Sequence, residues 1–265
     1  MSALEVRELS VTLKKDRRRI VSGLNFSVRE GNSAILLGAS GCGKTMTCHA
    51  LLDLLESKRF LTEGTAVFGG KDLLALSARE KRALYGKEIA YVPQNPMTAL
   101  DPSVRVGRQM DETLRLHEKR GKRESCERIL EALWNTGLAD PERVYSSYPH
   151  MLSGGMLQRV LIAMAVMLRA GLVIADEPTT ALDVVHRNET VDAFRKLRDA
   201  GTAVLLVTHD FAAARRFGGD VLIMYEGRIL EQGDIREIYK KPETGYTKAL
   251  IEAAELTGGT GYAAC

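Results

Sequence analysis

The segment Gly38-Ala39-Ser40-Gly41-Cys42-Gly43-Lys44-Thr45 constrains the fold of this chain more than any other stretch, because it dictates the structure on both of its sides. Residues 33–37 before it are short and apolar, the pattern of a buried strand, and residues 45–55 after it carry helical periodicity. A strand that runs through a glycine-rich loop into a helix opens a parallel α/β core. The pattern G-x-x-x-x-G-K-[ST] at such a junction is a phosphate loop. Gly38, Gly41 and Gly43 let backbone N–H groups, those of Ser40 and Cys42 included, converge on phosphate oxygens. Lys44 neutralises β- and γ-phosphate charge, and the Thr45 hydroxyl is placed to ligate Mg²⁺. The assembly matters more than any part of it. A helix dipole contributes only ~0.3 to 1 kcal/mol, whereas each charge-assisted hydrogen bond is worth ~1.5 to 3 kcal/mol, so several donors together hold a triphosphate.

The remaining pattern extends this core. Residues 4–13 and 20–28 alternate like two strands joined by the charged turn at 14–19, an antiparallel piece at the N-terminus. Short strands are expected at 65–68 and 89–92, with a helix at 78–84 between them. From 104 to 136 the pattern is helical, broken at Gly121 and ended by Gly137, and a further helix at 154–168 follows the Ser153 cap. A helical lobe at about 95–168 is therefore inserted into the core. Strands at 172–175, 203–207 and 221–225 then alternate with helices at 185–200 and 211–217, which implies a parallel sheet with helices on both faces. Residues 1–256 read as one domain and 257–265 as a loose tail.

Composition excludes several alternatives. Lysine and arginine number 37 against 34 acidic residues, a net +3, too balanced to argue for a nucleic-acid partner. The basic runs at 14–19 and 119–123 are short and broken, as solvated loops are. The longest apolar run, 160–168, stops at Arg169, short of the ~18 to 20 residues that span a bilayer. Residues 1–10 carry Glu5 and Glu8 on a strand-like alternation, unlike a secretory signal or transit peptide. Cys42, Cys48, Cys126 and Cys265 have no paired spacing, which suits a reducing compartment and argues against a disulfide framework or a zinc site.

Chemistry-bearing residues cluster where strands end. Leu172-Val173-Ile174-Ala175-Asp176-Glu177 sets two carboxylates at the end of a buried strand, the edge of a parallel sheet where ligands bind. Asp176 suits Mg²⁺, through water, and Glu177 suits a base that takes a proton from the water attacking a γ-phosphate. His209 follows the strand at 203–207 and reaches toward the same phosphate as a donor, or merely opens a helix beside the cap Asp210. Gln94, just after the strand at 89–92, offers a neutral amide to Mg²⁺ or to the attacking water. A second glycine turn, Leu152-Ser153-Gly154-Gly155-Met156, also opens a helix with free N–H groups and a positive dipole end. The first turn holds its own nucleotide; the second has none to hold unless another chain brings one.

With these residues assembled, the chain resembles the nucleotide-binding subunits of ATP-binding cassette transporters along almost its whole length. The likeness rests on the Walker A loop at 38–45, a Q-loop at Gln94, the signature at 152–156, Walker B at 172–176 with Glu177, a D-loop at Ala181-Leu182-Asp183, and a switch at His209. It implies an ATPase with ATP and Mg²⁺, the metal held by Thr45, Gln94 and Asp176, and catalysis by Glu177, His209, Gln94 and Lys44. It further implies a head-to-tail dimer in which Ser153, Gly154 and Gly155 of one subunit, with Asp183, complete the site opposite Walker A of the other. The implied partners are a second cassette, a sibling subunit or a copy of this chain, together with two transmembrane permeases and, indirectly, an extracytoplasmic binding protein. The implied location is the cytoplasmic face of the membrane, and no nucleic acid is involved.

Tyr91-Val92-Pro93-Gln94-Asn95-Pro96, Ala99-Leu100-Asp101-Pro102 and Ser153-Gly154-Gly155-Met156-Leu157-Gln158-Arg159 resemble the peptide and nickel import branch of that family. Met156, where a glutamine is usual, draws the likeness toward nickel-import subunits. The cargo stays open among nickel, a metal chelate and a peptide. No aromatic stands near Leu13, where the family commonly stacks one on adenine. Cys42 lies within the phosphate loop, so alkylating it is expected to block nucleotide entry wherever its thiolate is accessible. A ribosome- or DNA-directed cassette is the rival reading, but such proteins usually carry two cassettes or a long coiled-coil insertion. A small-molecule kinase leaves the second glycine turn without a purpose.

Overall fold

The computed structural model describes residues 2–118, 121–180 and 182–257. Lys119 and Arg120 of the second basic run, Ala181 of the D-loop, and Cys265 with the rest of the expected tail from 258 onward lie outside the described residues. The alternation at the N-terminus forms the expected hairpin: β1 (Ser2–Leu13) and β2 (Arg18–Arg29) pair antiparallel across the charged turn. β3 (Ser33–Leu37) runs through the phosphate loop into α1 (Lys44–Leu51). β4 (Phe60–Phe68) and β5 (Lys71–Asp72) return to the hairpin and complete a four-stranded sheet in the order β2-β1-β4-β5. α2 (Ala78–Leu84) starts with a reciprocal capping box between Ser77 and Glu80 and leads into β6 (Ile89–Val92).

The inserted helices are α3 (Val106–His117), α4 (Lys122–Asn135), α5 (Pro141–Ser146) and α6 (Gly154–Leu168). The core then resumes with β7 (Leu172–Asp176), α7 (Val184–Asp199), β8 (Ala203–Thr208), α8 (Phe211–Phe217) and β9 (Asp220–Tyr225). It ends with β10 (Arg228–Asp234), α9 (Ile235–Lys240) and α10 (Gly245–Thr257). The second sheet has six strands in the order β10-β9-β3-β8-β7-β6, parallel throughout except that β10 runs antiparallel to β9.

Strand periodicity divides the apolar residues between two cores. On β3, Ile35 and Leu37 face a core shared with α6, α7 and α8, while Ala34 and Leu36 face one shared with β1, β2 and α1. The expectation of helices on both faces therefore holds fully for one face only. The other is covered jointly by α1 and the antiparallel sheet, whose buried Leu4, Val6, Leu9 and Val11 supply an apolar face of their own. Two boundaries also differ. α1 stops at Leu51, short of residue 55, where Asp53 adopts a left-handed φ of 54° that a helix cannot propagate. β4 begins at Phe60, ahead of residue 65, because Leu13 of β1 pairs with it there. α5 had a legible start that went unread: Asp140 caps it through Arg143 N–H, and Pro141 occupies its first turn.

Candidate active site

The parallel register lines up the C-terminal ends of the central strands. Leu37 of β3 stands opposite Thr208 of β8, and Asp176 of β7 opposite Val207, so the segments after these strands emerge side by side. They carry the phosphate loop, Glu177 and His209, and Gln94 emerges from neighbouring β6. The loop lies tight against β9. A Cβ on Gly38 would collide with the carbonyl oxygen of Met224 and come within 2.8 Å of Cys42 Sγ, so only glycine fits there. Gly43 takes φ 110° as it enters α1, a conformation L side chains rarely adopt.

Glu177 is where the site converges. Its Oε1 is 3.3 Å from the buried Lys44 ammonium. Its Oε2 accepts hydrogen bonds from Thr180 Oγ1 at 3.0 Å and Gln94 Nε2 at 3.3 Å, and lies 2.9 Å from His209 Nδ1. Lys44 also donates to the carbonyls of Gly38, at 2.8 Å, and Ala39, at 3.0 Å. Burial works against a charge on Glu177, but the hydrogen bond from Thr180 and the nearby His209 and Lys44 outweigh it and hold the carboxyl below its ordinary range. The residue sits at φ 46°, left-handed for a non-glycine, fixed by its N–H donating to Val207 at 2.8 Å. Such strain costs on the order of 1–3 kcal/mol and persists where the surroundings over-determine it. Thus Lys44, Gln94 and His209, far apart in sequence, meet on one carboxylate.

Asp176 is the other carboxylate and has different neighbours. It is buried, and its Oδ1 accepts from Thr45 Oγ1 at 3.1 Å. Burial raises its pKa despite the Thr45 hydrogen bond and the nearby His49. A buried carboxylate facing a threonine hydroxyl, with Lys44 spent on Glu177, is an oxygen donor pair suited to a hard dication. Thr45 and Asp176 therefore fit Mg²⁺; the Gln94 amide, turned to Glu177, does not join them in this structure. Among the described residues no group of three or more His, Cys, Asp and Glu could hold a metal ion. Sequence reasoning missed Thr180 on Glu177, and Tyr91, whose hydroxyl bridges Asp176 and His49 at 3.5 and 3.3 Å. The signal for Tyr91 was its place in β6 next to β7.

The second glycine turn forms as expected. Ser153 caps α6 by accepting from Met156 N–H at 3.3 Å, Gly154 is exposed, and a Cβ on Gly155 would meet His186 at 3.0 Å. Asp183 caps α7 through Val185 and His186 N–H groups and pairs with the His186 ring at 2.6 Å. Among the described residues, no hydrogen bond or ion pair joins Ser153, Gly154, Gly155 or Asp183 to the phosphate loop.

A family model described as "ABC transporter" matches residues 21–180, more than half of the chain. The chain belongs to the ABC transporter ATP-binding family. Within it, the chain is 40% identical to a probable peptide ABC transporter ATP-binding protein of Sinorhizobium fredii, over 94% of this chain and 76% of that one. It is 38% identical to the dipeptide transport ATP-binding protein DppD of Haemophilus influenzae, over 96% and 78% of the two chains. It is 36% identical to the metal-staphylopine import ATP-binding protein CntD of Staphylococcus aureus, over 95% and 93%. Among solved structures, the ATP-binding cassette MJ0796, a dimer bound to ADP and phosphate, superposes with TM-score 0.76 at 25% identity, over 88% of this chain and 99% of that one. CbiO1 of Clostridium perfringens superposes with TM-score 0.78 at 26% identity, over 96% and 95%.

The fold is thus that of a P-loop ABC cassette, and ATP hydrolysis coupled to transport is its activity. No helix among the described residues is long and apolar enough to cross a membrane. The condition set for alkylating Cys42, an accessible thiolate, is not met. Its side chain is buried, its sulfur packed toward Gly38, and burial raises its pKa despite Lys44 nearby. Thiolate is therefore scarce at neutral pH and alkylation slow in this cassette.

Proposed function

We propose that residues 1–256 act as one nucleotide-binding domain that drives import of a short peptide, with nickel or another metal carried as a peptide-like chelate rather than as the free ion. The observation that carries the engine half of this reading is Glu177, held by Lys44, Thr180, Gln94 and His209, while Ser153 and Gly154 of the signature turn are exposed to solvent. ATP entering the loop draws Lys44 from Glu177 to the phosphates. Glu177, ionised and released from that ion pair, accepts a proton from the water aligned by Gln94 and His209. Bound Mg²⁺, held by Thr45 and Asp176, would supply neutralisation of the phosphate charge. Ser153, Gly154 and Gly155 of an opposing cassette, with Asp183 at its edge, close over the triphosphate. That opposing cassette is a sibling subunit rather than a copy, and both dock on two permeases at the cytoplasmic face.

The cargo reading is supported by relatives named for peptide, dipeptide and metal-staphylopine transport. The test is uptake in vesicles holding the cassette pair, its permeases and the external binding protein. Labelled dipeptide should accumulate only with ATP, and radioactive nickel only when a peptide-like chelator is added. Uptake of free nickel at an undiminished rate, with no dipeptide transport, would overturn the assignment.

A further inference from the structure

We propose that Tyr246 is a positioning residue of the phosphate loop, its hydroxyl locking the Gly38–Ala39 peptide that anchors Lys44. The Ala39 N–H donates to the Tyr246 hydroxyl at 2.9 Å. The carbonyl at the other end of that same peptide unit, Gly38 O, accepts from Lys44 Nζ at 2.8 Å. A peptide group is planar, so rotating it would break both bonds together. The hydroxyl therefore fixes the direction of the carbonyl on which the ammonium rests, and with it the position from which Lys44 meets phosphate. Nothing in the loop motif itself supplies this donor's partner; it comes from α10, more than two hundred residues along the chain.

Tyr246 is itself held firmly. The buried Glu231 of β10 accepts from Thr247 Oγ1 at 2.6 Å and Glu243 N–H at 2.9 Å, which pins the start of α10. The Tyr246 ring packs against Tyr225 at 4.6 Å between centroids, and Tyr225 ends β9, the strand paired with β3. The turn between β9 and β10 adds a second tie, Gly227 N–H donating to the Cys42 carbonyl at 2.9 Å. The segment from Tyr225 to Thr247 thus buttresses the loop from outside its own strand–loop–helix unit, and Tyr246 is the member whose single hydroxyl can be removed without disturbing packing.

The proposal rests on the phosphate-loop reading, which Lys44→Ala tests separately. If that variant binds ATP normally, the site reading fails whatever Tyr246 does. Tyr246→Phe keeps the ring against Tyr225 and deletes only the hydroxyl. In the full chain it should raise Kd for Mg-ATP and Mg-ADP roughly three- to tenfold, the worth of one neutral hydrogen bond. In the assembled transporter, kcat at saturating ATP should stay within about twofold while KM rises in step. Amide exchange should quicken at residues 38–42 and stay unchanged in α10. Wild-type Kd with unchanged exchange at the loop, or faster exchange confined to α10, would overturn the proposal. Should the variant fold poorly, exchange resolved to the Ala39 amide of the wild-type chain decides the matter: protection supports the bond, and exchange at the unprotected rate refutes it.

Discussion

The chain builds a glycine-rich turn at the start of a helix twice, and the two turns differ in everything around them. At 38–45 the backbone donors are backed by Lys44, two carboxylates, Gln94 and His209, brought together from the ends of four parallel strands. At 152–156 the turn has a capped helix and an exposed glycine, and its neighbours His186 and Asp183 are occupied with each other. The first turn is thus surrounded by the charged and polar groups that phosphate chemistry needs. The second has the backbone of an anion site, and the charge beside it, Arg159, is turned to the carbonyls of Gly155 and Gly137 and to Glu189. The same local motif thus gathers catalytic side chains or stays without them according to where the topology delivers other residues.

That contrast can be broken at either turn. The largest effect is expected from Glu177→Gln, which should slow phosphate release by the assembled transporter about 10²- to 10⁴-fold. Nucleotide binding should be equal or tighter, since Lys44 loses its competing carboxylate. Near-normal turnover would remove Glu177 from the role of base. Ser153→Arg should cost turnover on the order of 10²-fold through a lost donor surface, yet leave ATP binding to the isolated chain within about twofold. Equilibrium binding to the purified single chain checks this, and a large loss there would mean that the second turn serves its own chain's nucleotide.

The smallest effect concerns Asp176, the carboxylate proposed to hold Mg²⁺. The pKa of Asp176 is raised in the folded chain by burial, so its contribution to stability is fullest below its unfolded pKa and is lost as pH rises through the folded value. At neutral pH Asp176→Asn should therefore raise the metal-free melting temperature and abolish stabilisation by added Mg²⁺. Melting curves with and without Mg²⁺ test both parts; an unchanged or lower metal-free midpoint would contradict the reading.

The site was legible in the sequence where one short segment carries both the backbone and the chemistry. The loop at 38–45, the Asp176-Glu177 pair at a strand end and the Ser153 cap follow from local rules of glycine, charge and helix capping. Tyr91 and Tyr246 were not legible as site residues, because each acts through a partner that only the sheet order or α10 brings near, whereas Thr180 lies three residues after Glu177 and only the turn geometry there aims its hydroxyl at that carboxylate. Cys42 shows the same limit from the other side, since its place in the motif left access open and packing beneath Gly38 denies it. The same holds for β4, whose first half exists because β1 offers it a ladder.

By itself the sequence determined the strand–loop–helix unit, the alternation that makes a parallel core and the family to which the chain belongs, since these depend on periodicity and on residue types at fixed short spacing. Only the tertiary structure decided that one face of the core is shared with an antiparallel sheet, that Lys44, Gln94 and His209 all rest on Glu177, and that α10 reaches back to the phosphate loop. Those are contacts between residues far apart in sequence, set by strand order and packing, and no local pattern encodes them.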